Sequence, residues 1–257
     1  MPVLLAACLL TAVAVAACAP AAAAPTHQST LTVAAAADLQ FAFTDLGESF
    51  QKETGAKVTF IFGSSGTLAQ QIENGAPVDL FASADEEYVR DLSSRGAIIP
   101  GTEQLYGVGR IVLVSYRKGG LHLSSLKDLQ GPAVKHVAIA NPDHAPYGLA
   151  ARQALTSLGL WEQVSPKVVY GENVRQALQF VQTGNAEAGI VALSVASVPE
   201  VDSVAIDDSL YQPLRQSMAV VKGTSQEQLA RAFAAFVNGP RGRPVMKSYG
   251  FALPGEN

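Results

Sequence analysis

From residue 30 onward, short apolar runs alternate with stretches of helical period. "LTVAAAA" (31–37) reads as a buried strand. The following "DLQFAFTDLGESFQKETG" places Leu39, Phe43, Leu46 and Phe50 on one helical face, with Asp38 as the expected N-cap and Gly55 as the stop. "KVTFIF" is a second strand, "TLAQQIENG" a short helix, "VDLFASA" a third strand and "DEEYVRDLSSRG" a helix with an acidic first turn. The pattern resumes with strand "RIVLVSY" (110–116), the short capped helix "SSLKDLQG", strand "KHVAIANP" and helix "APYGLAARQALTSLG", which has Pro146 in its first turn. "KVVYG" is a strand and "NVRQALQFVQTG" a helix striped by Val174, Leu178 and Val181. "AGIVALSVA" and "SMAVVKG" (217–223) follow, and "TSQEQLARAFAAFVNG" opens on an expected Thr224–Glu227 capping box. A short helix, "RPVMKSYG", comes last.

Repeated strand–helix units imply an α/β fold with parallel sheets. Two sets of units separate near residue 108. In such folds ligands sit off the carboxyl ends of strands, where helix N-termini offer free N–H groups and a positive dipole end. Four strand-to-helix junctions share this character: "AAAADL" with Asp38, "FGSSGT" with Ser64 and Ser65, "HAPYGL" with Tyr147, and "GENVRQ" with Asn173 and Val174. Two lie in each half of the chain. If the halves are separate lobes, a small anion can be clamped between them.

The chain has 257 residues, 48% hydrophobic and 16% charged, with a formal net charge of −4. That balance and the lack of a basic stripe point away from nucleic acid. An anion would be held by local donors. The first 17 residues are apolar and uncharged, the composition of a signal peptide. Residues 18–29 form a small-residue linker. "VAAC" (15–18) matches the signal for cleavage before a cysteine that then carries lipid; the alternative is ordinary cleavage after "AAAA" near residue 24. Both cysteines, Cys8 and Cys18, lie in this leader region, so the domain that follows has no thiol for a disulfide, a zinc site or a nucleophile.

With these residues in place, the run "AAAADL…FGSSGTLAQQIENGAPVDLFASAD…NPDHAPYGLAARQAL…ENVRQAL…GIVA…YGF" resembles the substrate-binding proteins of molybdate ABC transporters. The likeness spans about residues 30 to 253. It implies a type II periplasmic-binding fold, with lobe 1 formed by residues 30–108 and 219–257 and lobe 2 by 109–218. It also implies capture of molybdate or tungstate by N–H groups and hydroxyls, with no catalysis, no cofactor and no direct side-chain bond to the metal. The implied ligand positions are Asp38, Ser65, Tyr147 and Val174, with Ser64, Asn173 and Ala192 behind them. Ala192 stands where relatives often carry a tyrosine, and Tyr147 then supplies the phenol. Asp38 departs from the family's Ser, Thr or Asn. Its side chain either caps the following helix or accepts a proton from a protonated oxyanion such as hydrogen phosphate. The implied partners are a membrane permease and its ATPase, engaged by a monomer. The implied location is periplasmic or extracytoplasmic, with the protein held to the membrane by a lipid on Cys18.

Phosphate or sulfate as the cargo, an exported hydrolase, and a regulatory domain of the same fold are the rival readings. "GSSG" is not a G-x-S-x-G nucleophile elbow, and His144, the histidine nearest the candidate site, has no identifiable acid partner and reads as a loop-ordering residue. No close His/Glu spacing suggests a metal site, and no helix-turn-helix is present. The lipobox reading has a direct check. Mass spectrometry of the protein from its native membrane should find a lipid-modified N-terminal Cys18, whereas an unmodified terminus near residue 25 is the outcome of ordinary cleavage.

Overall fold

The computed structural model describes residues 29–256. Cys18 and its linker lie outside this range. Ten strands and eight α-helices are present among the described residues. In chain order they are β1 (Thr30–Ala36), α1 (Gln40–Thr54), β2 (Lys57–Gly63), α2 (Ser65–Glu73), β3 (Leu80–Ser83), α3 (Glu86–Ser94), β4 (Gln104–Gly109) and β5 (Ile111–Tyr116). They continue with β6 (Val137–Ala140), α4 (Pro146–Ser157), α5 (Trp161–Val164), β7 (Val168–Gly171), α6 (Val174–Gln182), β8 (Ala188–Ala192), β9 (Val201–Ala205), β10 (Leu214–Val220), α7 (Glu227–Asn238) and α8 (Gly242–Ser248).

These strands make two sheets. Lobe 1 has the order β2-β1-β3-β10-β4 and lobe 2 the order β7-β6-β8-β5-β9. In each, three parallel strands carry the helices and an antiparallel strand joins them near the crossover. β1 and β3 are buried almost throughout, as expected of strands covered on both faces. The chain passes from β4 to β5 through Arg110 alone, and it returns to lobe 1 between β9 and β10. β10 belongs wholly to sheet 1, so this second crossover falls before Leu214 rather than at residue 218.

The sequence pattern missed β4, β9 and α5. β9 is an edge strand whose exposed alternate residues leave a weak apolar signal. β4 begins in the partly exposed pair Gln104–Leu105 and lies at the edge of its sheet, paired among the strands only with β10, which leaves a weak apolar signal. The Ser125–Asp128 capping box is present, but the Thr224–Glu227 box is not. Thr224 instead donates its hydroxyl to Asp79 and accepts the N–H of Gln226, which holds the loop to β3's entry.

Lobe 1 closes only when the C-terminal segment returns. Phe233 of α7 packs edge-on against Phe43 and Phe50 of α1, with ring centroids 5.7 and 5.3 Å apart, and tilts against Phe60 of β2. Phe233 is fully buried. Phe233→Ala should therefore destabilise the protein by about 3–5 kcal/mol. Urea unfolding followed by circular dichroism measures this, and a loss under 1 kcal/mol would mean that α7 does not anchor lobe 1.

Candidate functional site

The four junctions singled out in the sequence do meet. The ends of β1, β2, β6 and β7 bring Ala37, Asp38, Ser64, Ser65, Ala145, Tyr147, Asn173 and Val174 around one narrow space of about 10 Å³. That is far below the size of a site for a drug-sized ligand, so only a compact species suits the space. A wider groove at the opposite end of lobe 1 contains a carboxylate, Asp79, which is already satisfied by the N–H of Thr32 and the hydroxyl of Thr224.

Each helix start is prepared differently. Ser64 caps α2, accepting the N–H of Thr67 at 3.4 Å. Asn173 caps α6 by accepting from Arg175 and Gln176 at 3.0 and 3.1 Å. α4 has no side-chain cap and starts with Pro146, which has no N–H to satisfy. Ser65, Tyr147 and Val174 sit in the first turns, where N–H groups have no intrahelical acceptor. The Ser65 hydroxyl accepts the N–H of Ala84 at 2.9 Å, so its own proton is left to point elsewhere. Ala192 ends β8, pairs with Ile111 and is fully buried; it does not line this space.

Asp38 does not cap α1. A 3₁₀ turn (Ala37–Leu39) precedes the helix, and neither its N-cap, Ala36, nor that of α1, Leu39, makes a side-chain cap bond. Asp38 thus lies inside the opening turn rather than before it, where its carboxylate cannot fold back on the N–H groups ahead. It is 1% exposed. Its Oδ2 accepts from the Tyr147 hydroxyl at 3.0 Å and from Gln216 Nε2 at 2.9 Å, while Oδ1 has no partner among the described residues. Tyr147 therefore gives its one phenolic proton to Asp38, contrary to the expectation that the phenol faces an anion. Burial pushes the Asp38 carboxyl up to about 6, against the pull of its two donors. Burial beside Asp38 also raises the phenols of Tyr147 and Tyr106 well above their ordinary range, so both stay neutral.

Other contacts hold the lobes together. Gly66 N–H donates to the His144 carbonyl at 2.9 Å, and Ser64 Oγ lies 2.8 Å from His144 Nδ1. A Cβ at Gly66 would come within 2.8 Å of that carbonyl, so only glycine admits this approach. His144 thus bridges the cleft, and, contrary to the sequence reading, it has an acid within reach: Glu172 Oε2 lies 3.8 Å from its Nε2. Arg175 of α6 donates to Gln40 at 3.0 Å and lies 4.7 Å above the Phe41 ring. Ser194 donates to the Asp38 carbonyl at 2.8 Å. Gln216, Gly66, Arg175 and Ser194 were not singled out from the sequence. Gln216 left no distinct signal, since it stands between two other polar residues of β10, Arg215 and Ser217.

Among the described residues, no cluster of His, Cys, Asp and Glu could hold a metal ion, and no helix is long and apolar enough to cross a membrane. The arrangement offers N–H and hydroxyl donors to a small anion.

Comparison with known proteins agrees with this geometry. Residues 31–252 match the model of a family described as bacterial extracellular solute-binding protein. The molybdate-binding protein ModA of Azotobacter vinelandii is 38% identical over 225 residues, covering 86% of this chain and 89% of that protein. A Bacillus subtilis chain with the provisional name ABC transporter substrate-binding lipoprotein YvgL is 34% identical and covers 86% of each. The solved structure of the Azotobacter vinelandii periplasmic molybdate-binding protein superposes with a TM-score of 0.82 at 35% identity, covering 87% of this chain and 99% of that one.

The buried carboxyl has a measurable consequence for stability. Its folded pKa lies above the unfolded value of 3.8, so folding is favoured below that value and the advantage is lost as pH rises through about 6. Asp38→Asn removes this dependence. In buffers free of oxyanions, the stability of Asp38→Asn relative to wild type should improve by about 2–3 kcal/mol between roughly pH 4 and pH 8. Paired urea titrations read this directly. A pH-independent difference would mean that Asp38 ionises as an ordinary exposed carboxylate.

Proposed function

The chain belongs to the bacterial extracellular solute-binding protein family, and on that footing we propose that it captures molybdate or tungstate between its lobes and delivers it to an ABC importer. The observation that carries this reading is the meeting of helix starts from both lobes on one narrow space. A tetrahedral dianion fits such a site because its four oxygens can take donors from several directions, whereas a helix N-terminus alone holds one face of an ion. The Ser65 hydroxyl and the N–H groups of Ser65, Tyr147 and Val174 are the proposed donors. Each charge-assisted bond contributes about 1.5–3 kcal/mol net, so a handful suffices for submicromolar capture.

A permease that binds only the closed, loaded form would read the lobe contacts at His144 and Arg175, with an ATPase driving release. Such a protein binds and releases its ligand unchanged, without catalysis and without a resident cofactor. Export and anchoring through Cys18 would keep it at the outer face of the membrane, where it meets the permease.

Calorimetry against molybdate, tungstate, sulfate and phosphate tests the reading. Molybdate and tungstate should bind tightly and sulfate far more weakly; binding of phosphate alone would overturn the assignment. Ser65→Ala should weaken molybdate binding by about 1–3 kcal/mol, since the lost bond is charge-assisted. Unchanged affinity would make Ser65 only a strap for Ala84.

A further inference from the structure

A carboxylate and a dianion cannot share one small buried space without compensation. Asp38 lines the cavity, is almost wholly buried, and has one oxygen already taken by two donors. Its other oxygen, Oδ1, has no partner among the described residues. Two like-charged groups in contact disfavour the charged form of whichever can be neutralised. Molybdate stays a dianion at neutral pH, so the group that yields is the carboxylate.

We propose that Asp38 binds the oxyanion as a carboxylic acid, so that each capture takes up one proton from solvent onto Oδ1, whose O–H then donates to an anion oxygen. This rests on the oxyanion reading above and adds a regulator to the same site. The balance is simple: the carboxylate gains one proton from water or buffer, no bond of the anion breaks, and release returns the proton. The two donors on Oδ2 settle which oxygen is protonated. Tyr147 has a single proton and spends it on Oδ2, and Gln216 donates there as well, so Oδ1 is the free site. The same two bonds orient the acid from lobe 2 and from β10, and the acid is therefore aligned only when the lobes are closed.

No neighbouring cation is paired with Asp38. From α6, Arg175 gives its Nε to Gln40 and lies over Phe41, while its buried Nη1 has no partner among the described residues. From α1, Asp45, Glu48, Lys52 and Glu53 are solvent-facing, and from β2 the one charged residue is Lys57 at its far end. From β10, Arg215 is exposed and pairs with Glu86. The 3₁₀ turn Leu193–Val195 carries no charge. From α4, Arg152 lies past the first turn, and Tyr147, like Tyr106 from β4, is neutral. His144 is turned toward Ser64 and Glu172. The free Asp38 carboxyl titrates near 6, already close to the pH at which it would have to accept the proton. A dianion raises it further. Between the two values the complex holds one proton more than the separate partners, so affinity falls as pH rises.

The test is calorimetry of sodium molybdate binding in buffers of different ionisation enthalpy, from about pH 6 to pH 8.5. Wild type should take up close to one proton per anion above pH 7, and its affinity should drop by about tenfold per pH unit there. Asp38→Asn keeps an acceptor for Tyr147 and Gln216 and a donor for the anion; it should take up no proton and should bind more tightly than wild type at pH 8.5. Zero proton uptake by wild type, or an equal pH slope in Asp38→Asn, overturns the proposal while leaving molybdate capture intact. Absence of molybdate binding at every pH overturns both readings. Should Asp38→Asn fail to fold, proton uptake by wild type alone decides.

Discussion

The cleft is organised around one buried carboxylate held by two donors from different parts of the chain. Asp38 stands in the opening turn of lobe 1, Tyr147 comes from lobe 2, and Gln216 comes from the strand by which the chain re-enters lobe 1. None of the three polar groups could be buried without the other two, because an unmet charge or phenol in that position costs more than a single bond returns. Gly109 is shaped by the same demand. It ends β4 beside the crossover, and a Cβ there would overlap the Tyr147 hydroxyl and come within 2.5 Å of Gln216 Nε2. The crossover is therefore glycine so that the cluster can form.

Around this cluster the lobes touch through main-chain and neutral polar groups. The Gly66 N–H on the His144 carbonyl, Ser64 beside His144, and Ser194 on the Asp38 carbonyl each contribute modestly. A cleft closed by many small bonds can open. Arg175, stretched over Phe41, adds a contact whose strength comes from partial desolvation rather than from an ion pair. The space between the helix starts is thus bounded by dipoles, hydroxyls and the buried Asp38 carboxyl. On the proposed reading, such local donors let a protein of net charge −4 hold a dianion.

Much of this was legible in the chain. Parallel α/β units, their division into two sets and the four helix starts follow from hydrophobic period and from Gly, Ser and Asn at the junctions, while the two-lobe arrangement is what the family resemblance implies. These are local signals, and local signals survive in sequence. Long-range partnership does not. Nothing near Asp38 announces Gln216, which is 178 positions away, and the capping expectation failed because a 3₁₀ turn moved the helix start by a residue. The Thr224 box failed for a similar reason, since Asp79 from the end of another loop claimed the hydroxyl. Ser64 was placed behind the site and does cap its helix. Its contact with His144 needed the lobes to be brought together first.

The nesting of one lobe inside the other also sets an order of assembly. Every strand of sheet 2 lies between Ile111 and Ala205, a single uninterrupted stretch. Sheet 1 must wait for β10 to pair with β3, Ser217 opposite Ser83, and for α7 to cover α1. Contacts between chain segments so far apart must meet a loop-closure cost before they are rewarded, and they cannot form until β10 and α7 have been made. A chain emerging N-terminus first therefore completes its second lobe before its first. Gln216 arrives with β10, so the chamber for the anion comes into being at the last step of folding, and a truncated or stalled chain has no means of trapping its cargo.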